Sequence, residues 1–123
     1  MEWNKNQILE AIKPYILKRL KAPLTTIFCS PNELVLEEKR NGGNWEVRGT
    51  LNSQNGYGAL TISNFLVVIR IENNGKESVL YVDGVYIGEE IKKYENRNIE
   101  KFSIIIMSVI IFFFIKLIVG PYL

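Results

Sequence analysis

The chain has 123 residues, with 15 Lys or Arg against 13 Asp or Glu, no histidine and one cysteine. That length accommodates one domain of ordinary size plus one appendage. The near balance of charge excludes the basic excess of a nucleic-acid binder, and the absence of histidine, with Asp83 the single aspartate, removes the commonest metal ligand and every Ser-His-Asp or Cys-His arrangement.

Met1 to Gln7 lacks an apolar stretch of signal-peptide length, so any membrane association is expected from the other end. Residues 4 to 21 then place Ile8, Ile12, Ile16 and Leu20 four apart, supported by Leu9 and Tyr15, with Glu10, Lys18 and Lys21 opposite. That spacing predicts an amphipathic helix. Pro14 removes the hydrogen bond to the Glu10 carbonyl and disfavours helical geometry at Lys13, so a kink or two short helices are expected, with Pro23 ending the run. The polar side carries Lys13, Lys18, Arg19 and Lys21, candidate contacts to anionic lipid headgroups at roughly 1 kcal/mol each; the competing reading is simple solvation.

After a connector through Pro31 the period changes to two. Leu34 and Leu36 alternate with Val35 and Glu37, and Trp45, Val47, Gly49 and Leu51 alternate with Glu46, Arg48, Thr50 and Asn52, which predicts half-buried strands. NGGN at 41 to 44 and NGYG at 55 to 58 are turn sequences joining antiparallel neighbours. A third strand runs from about Tyr57 to Glu72, and its apolar positions switch from even (Leu60, Ile62) to odd (Phe65, Val67, Ile69, Ile71), so a bulge is expected near Ser63-Asn64. NNGK at 73 to 76 turns into Val79 to Val82, and Asp83-Gly84 reads as a two-residue hairpin leading to Tyr86 and Ile87. The expected fold is α+β: an N-terminal helix packed on a four- to five-stranded antiparallel meander sheet over residues 1 to 88.

The middle of the chain resembles a known small domain. Leu20-Lys21-Ala22-Pro23 followed by Phe28, then Glu46-Val47-Arg48-Gly49, Ser53 to Ala59 and Ser63-Asn64-Phe65, are similar to the LKSPSTAKF-like and SQNSFGA-like segments of an uncharacterised bacterial and phage domain family. The resemblance covers about residues 17 to 72, and this chain departs from it at Leu24-Thr25-Thr26. It implies attachment to membranes or to other small modules, and no chemistry.

No motif in the chain specifies catalysis or a cofactor. Cys29 has no histidine to activate it and reads as a small packed residue, and one thiol cannot build a zinc site. Glu37-Glu38 and Glu89-Glu90 are adjacent pairs, poorly aligned for shared acid-base work. No glycine-rich loop has phosphate-cradling spacing. The segment from Ser53 to Ala59 is the most distinctive loop; hairpin geometry explains its glycines, while Gln54, Asn55 and Tyr57 are candidates for binding a partner.

Residues 89 to 101 read as a charged helical stalk, and from Phe102 to Val119 the run FSIIIMSVIIFFFIKLIV holds one charge in 18 positions. At about 1.5 Å per residue it would reach roughly 27 Å, close to bilayer thickness, so a C-terminal transmembrane helix is expected over 102 to 119. Lys116 stands near its end, where a lysine stem can carry its ammonium to the headgroups. Lys92, Lys93, Arg97 and Lys101 precede the span and no basic residue follows it, which places the folded part in the cytoplasm. The expectation is a tail-anchored, single-pass, non-enzymatic interaction module in the cell membrane, contacting the bilayer and a protein partner or a second copy. Two alternatives stand beside it. One is a small-molecule-binding or enzymatic domain with Glu46, Arg48 and Arg70 around a pocket between helix and sheet; the other is a membrane-active, toxin-like product.

Overall fold

The computed structural model of the protein describes residues 3–21, 23–39, 43–54 and 57–119, with side chains at all of these except 99–105 and 112–119. The chain divides into two compact units, Met1–Ile91 and Lys92–Leu123.

Helix α1, Lys5–Leu17, opens on a capping box: Asn4 Oδ1 accepts from the Gln7 N–H at 2.8 Å, and Gln7 Oε1 accepts from the Asn4 N–H at 3.0 Å. Two of the donors left open at a helix start are thereby satisfied. Ile8, Leu9, Ile12 and Ile16 are buried along one stripe, as their spacing predicts. Pro14 lies inside this single helix and does not divide it. Pro14 and Glu10 are both on the exposed face, where water can take the bond that the proline cannot make. The helix stops at Leu17 rather than Lys21, because the backbone tightens to three-residue bonds from Arg19 to Ile16 and from Leu20 to Leu17.

Five antiparallel strands form one sheet: β1 (Ile27–Phe28), β2 (Val35–Glu38), β3 (Asn44–Gln54), β4 (Leu60–Asn73) and β5 (Ser78–Ile87). β3, β4 and β5 pair in sequence order, and β1 and β2 share the remaining edge of β3, Phe28 opposite Leu51 and Val35 opposite Arg48. Between them, a 3-10 turn at Pro31–Glu33 leaves the edge. The expected connector therefore contains an edge strand, because only the reach of β3 past Leu51 gives Ile27 and Phe28 a partner.

Two expectations for the long strands are corrected. β4 pairs with β3 without interruption from Leu60 to Arg70, so no bulge occurs at Ser63-Asn64. Leu60 and Ile62 stay on the sheet face opposite α1 and are exposed, while Phe65, Val67 and Ile69 turn toward the helix and are buried. Asp83-Gly84 is not a hairpin either. β5 runs through it, and the register shift lies there, Val68 facing Gly84 and Ile69 facing Val82, so that Asp83 is the extra residue. A turn at that point would forfeit the pairing of Val85, Tyr86 and Ile87 with Val67, Leu66 and Phe65, which the length of β4 makes available. Gly84 serves packing instead: a Cβ there would stand 3.0 Å from the Tyr86 ring. The turn at 73 to 76 occurs where expected, closed by Asn74 N–H to the Glu77 carbonyl at 3.0 Å with Gly75 at φ 89°.

The α1 stripe packs on Leu34, Val47, Leu51, Phe65, Val67 and Ile69, with Trp3, Phe28, Leu36, Trp45, Val82 and Val85 around the margin. Gly49 sits opposite Phe65, whose ring fills the space a side chain would need, since an added Cβ would come within 2.5 Å of Phe65 Cζ and 3.0 Å of Leu34 Cδ2. Gly49→Ala is therefore expected to destabilise the domain by about 1 to 3 kcal/mol, the range for overpacked cores, read as a lower urea midpoint at unchanged slope.

Helix α2, Glu89–Val119, is continuous in backbone. Among the described residues no helix is long and apolar enough to cross a membrane. Phe102, Lys116 and Val119 have side chains outside the described residues.

Candidate functional site

The strands of the sheet alternate, so their residues divide between two faces. In β3, Trp45, Val47, Gly49 and Leu51 turn toward α1, and Glu46, Arg48, Thr50 and Asn52 turn away. The space between α1 and the sheet is filled by side chains with almost no exposure. The candidate polar residues Glu46, Arg48 and Arg70 all lie on the far face, outside that interface.

Glu46 is the unusual member, a carboxylate only 2% exposed. It stands directly across from Glu37 in β2 and Val68 in β4. Two like charges in opposed positions repel. Lys39 relieves this by reaching both, its Nζ 3.1 Å from Glu37 Oε1 and 3.4 Å from Glu46 Oε2, and Arg48 adds a third contact at 3.7 Å. Glu46 Oε2 nevertheless has no hydrogen-bond partner among the described residues. The hydrogen bond to Glu37 and the nearby charges of Glu46 and Glu37 hold the Lys39 ammonium above the ordinary lysine range, with desolvation working against them.

A raised lysine stabilises the fold below its ordinary pKa and loses that contribution as pH rises through the raised value. Lys39 is half-exposed, so its share is about 1 kcal/mol or less. Lys39→Ala should lower the unfolding free energy read by urea titration at neutral pH by that amount, and the difference from the parent should close in strongly alkaline solution. Adding Glu46→Gln, which removes the buried charge, should recover part of the loss.

At the other side of the same face Arg70 lies over the Tyr81 ring at 4.6 Å, donates from Nε to Asp83 Oδ2 at 3.4 Å and pairs with Glu72. These carboxylates, Asp83 first, hold the guanidinium above its ordinary value. Asp83 is available to Arg70 because the bulge turns the extra residue out of the ladder.

Two clefts flank the gap between β1 and β2. One of about 350 Å³ is lined by Arg48, Asn64, Phe65 and Ile91 among others, the second of about 280 Å³ by Ile27, Cys29, Asn52 and Ile62 among others, and Glu33 and Thr50 line both. Glu33 accepts a hydrogen bond from the Ser30 hydroxyl at 3.0 Å. Cys29 is half-buried against the main core. Among the described residues no group of three or more Cys, Asp or Glu is placed to hold a metal ion.

The cations of the first helix do not form one patch. Lys13 pairs with Glu10 at 2.7 Å and lies 5.5 Å from the Phe28 ring centre, and Lys18 lies over Tyr15 at 5.6 Å. Arg19 donates to the Val85 carbonyl at 2.7 Å and to both oxygens of Glu90 at 2.7 and 2.6 Å. It thus blunts the free edge of β5 and ties the end of α1 to the first turn of α2. Lys21 is exposed. In the loop, Gln54 ends β3 opposite Leu60, Tyr57 is almost fully exposed, and Asn55 lies outside the described residues.

No family model, no curated protein and no solved structure matches the chain. Its function is read from its own chemistry.

Proposed function

We propose that the protein is a membrane-anchored, non-enzymatic interaction module: residues 102 to 119 of α2 span a bilayer, and the helix-plus-sheet domain meets a protein partner or a second copy at the cytoplasmic face. The observation that carries this reading is the exposure of Ile106, Met107, Val109, Ile110 and Ile111, large apolar side chains over more than a full helical turn. A helix designed for water buries one stripe and presents polar groups elsewhere, whereas apolar side chains all round suit lipid. The surrounding run from Phe102 to Val119 has the composition of a span, and Lys92, Lys93, Arg97 and Lys101 before it favour a cytoplasmic start.

Alkaline extraction of membranes containing the full chain tests the anchor: retention in the pellet supports it, and release into the supernatant sinks it. Partner binding is tested by pull-down from detergent extracts with Gln54, Asn55 and Tyr57 intact or replaced by alanine. Specific retention of one partner, lost in the triple variant, supports the loop as the contact. Equal recovery with both proteins removes the loop from the interface.

A further inference from the structure

Exposed apolar side chains gather at one end of the sheet. Ile27 in β1 faces Asn52 in β3, which in turn faces Ile62 in β4, so two isoleucines flank one asparagine on the outer face, 64% and 77% exposed. Leu60, two residues from Ile62, is on the same face and also exposed. Leu24, in the 3-10 turn Pro23–Thr25 that packs beside β3, is 100% exposed, and Tyr57 at the β3–β4 loop is 98% exposed. Isolated apolar side chains on a surface need no explanation, but five at one end of a sheet do.

The charges around this end are mostly basic, with Glu33 the exception. From Gly49 to Ile69 no residue is charged, and between Glu10 and Glu33 there is no acidic residue while Lys13, Lys18, Arg19 and Lys21 are basic. With Lys13 and Arg19 held by Glu10 and Glu90, Lys18 and Lys21 are the cations left closest in sequence to Leu24. Glu33, beside Ile27 and Ile62 in the smaller cleft, marks the acidic boundary. Apolar residues with a tyrosine among them and basic residues alongside match the interfacial zone of an anionic bilayer, where aromatic and aliphatic groups enter the headgroup boundary and lysines meet lipid phosphate or carboxylate.

We propose that this end of the sheet, with Leu24, Ile27, Tyr57, Leu60 and Ile62, is a peripheral contact with the surface of an anionic bilayer, separate from the α2 span. The choice of a bilayer over a second copy rests on the anchored reading above, which keeps lipid within reach of the domain at all times. The contact is reversible and depends on lipid charge, as an interfacial site without covalent lipid is.

The test uses the full chain reconstituted into vesicles, with Cys29→Ala and one environment-sensitive dye attached through either Leu24→Cys or Lys76→Cys. Both positions are exposed, so neither dye disturbs the core, and position 76 lies in the turn at the opposite end of β4. In vesicles containing anionic lipid the dye at 24 should shift to shorter wavelength and be quenched by brominated lipid, and the dye at 76 should not. Lys21→Ala should weaken the effect about fivefold, the share of one lysine near an anionic surface. Equal behaviour at 24 and 76 overturns the proposal. So does a shift at 24 that is indifferent to lipid charge but grows with protein-to-lipid ratio, which would place a second copy on the patch. Alkaline extraction of the same vesicles scores the α2 anchor independently, so loss of the anchor and loss of the surface contact give different results.

Discussion

If residues 102 to 119 form the proposed span, placing aspartate at both Ile110 and Ile111 should release the chain from membranes on alkaline extraction. These positions lie at the middle of the 102 to 119 run, where each aspartate costs about 2.5 to 3.5 kcal/mol of insertion. The pair therefore removes on the order of 5 to 7 kcal/mol, enough to reverse a favourable insertion. Lys116→Leu should act in the other direction and increase retention, because it removes the one charge of the run. The helix-plus-sheet domain should keep its near-ultraviolet circular dichroism in both variants, since its buried residues all come from the first unit. Retention of the double-aspartate protein in the alkaline pellet would mean that something other than this run holds it there.

Phe65→Ala should cost the domain about 3 to 5 kcal/mol, a large fraction of the 5 to 15 kcal/mol that ordinary domains possess. Phe65 is fully buried, meets the Phe28 ring edge-on at 6.1 Å between centroids and 72° between planes, and covers Gly49 across the β3–β4 pair. Its removal empties the centre of the core and unseats the short β1 strand, which depends on Phe28 for its packing. The same contact predicts coupling. In the Phe65→Ala background the Cβ of Gly49→Ala no longer meets a ring and keeps only its contact with Leu34 Cδ2, so the second substitution should cost less, and the double-mutant cycle should show an interaction of about 1 to 3 kcal/mol. Denaturant titration of the full chain in detergent measures all three variants. Additive losses would show that the Gly49 position relaxes elsewhere.

Much of the fold was legible from spacing. The burial of Ile8, Leu9, Ile12 and Ile16 follows from helical period, and the burial of Val47, Leu51, Phe65, Val67 and Ile69 follows from alternation, because each pattern repeats with the geometry of its own element. The turn after Asn73 was legible because glycine and asparagine supply the required backbone locally. Asp83-Gly84 misled for the same local reason. The pair is good turn chemistry, but β4 offers nine of the ten residues of β5 a partner, and continuous pairing with one bulge wins over a turn. The switch of apolar register in β4 misled in another way: it suggested a bulge, and the chain instead leaves Leu60 and Ile62 exposed on the second face.

The candidate sites divide along the same line. Tyr57 is as exposed as a loop residue between two strands should be, so its position needed only the turn signals around it. Arg19 carried no signal of its role, since Val85 and Glu90 stand 66 and 71 residues away and only the closing of α1 onto the sheet brings them within hydrogen-bond reach. Glu46 reads in sequence as an outward residue of an alternating strand, which it is, yet the cross-strand neighbours bury it and give it Lys39.

The sequence by itself determined the first helix and the main strands, the apolar stripes that meet in the core, the missing histidine chemistry and the apolar run from Phe102 to Val119, because each depends on composition or on neighbours within a few residues. Only the tertiary structure decided that Pro14 stays within one helix, that Ile27 and Phe28 become an edge strand, that Asp83 leaves the ladder to meet Arg70, and that Leu24, Ile27, Tyr57, Leu60 and Ile62 share one end of the sheet. Those outcomes depend on which distant segment offers a partner and on how far it reaches, and strand length and register set both.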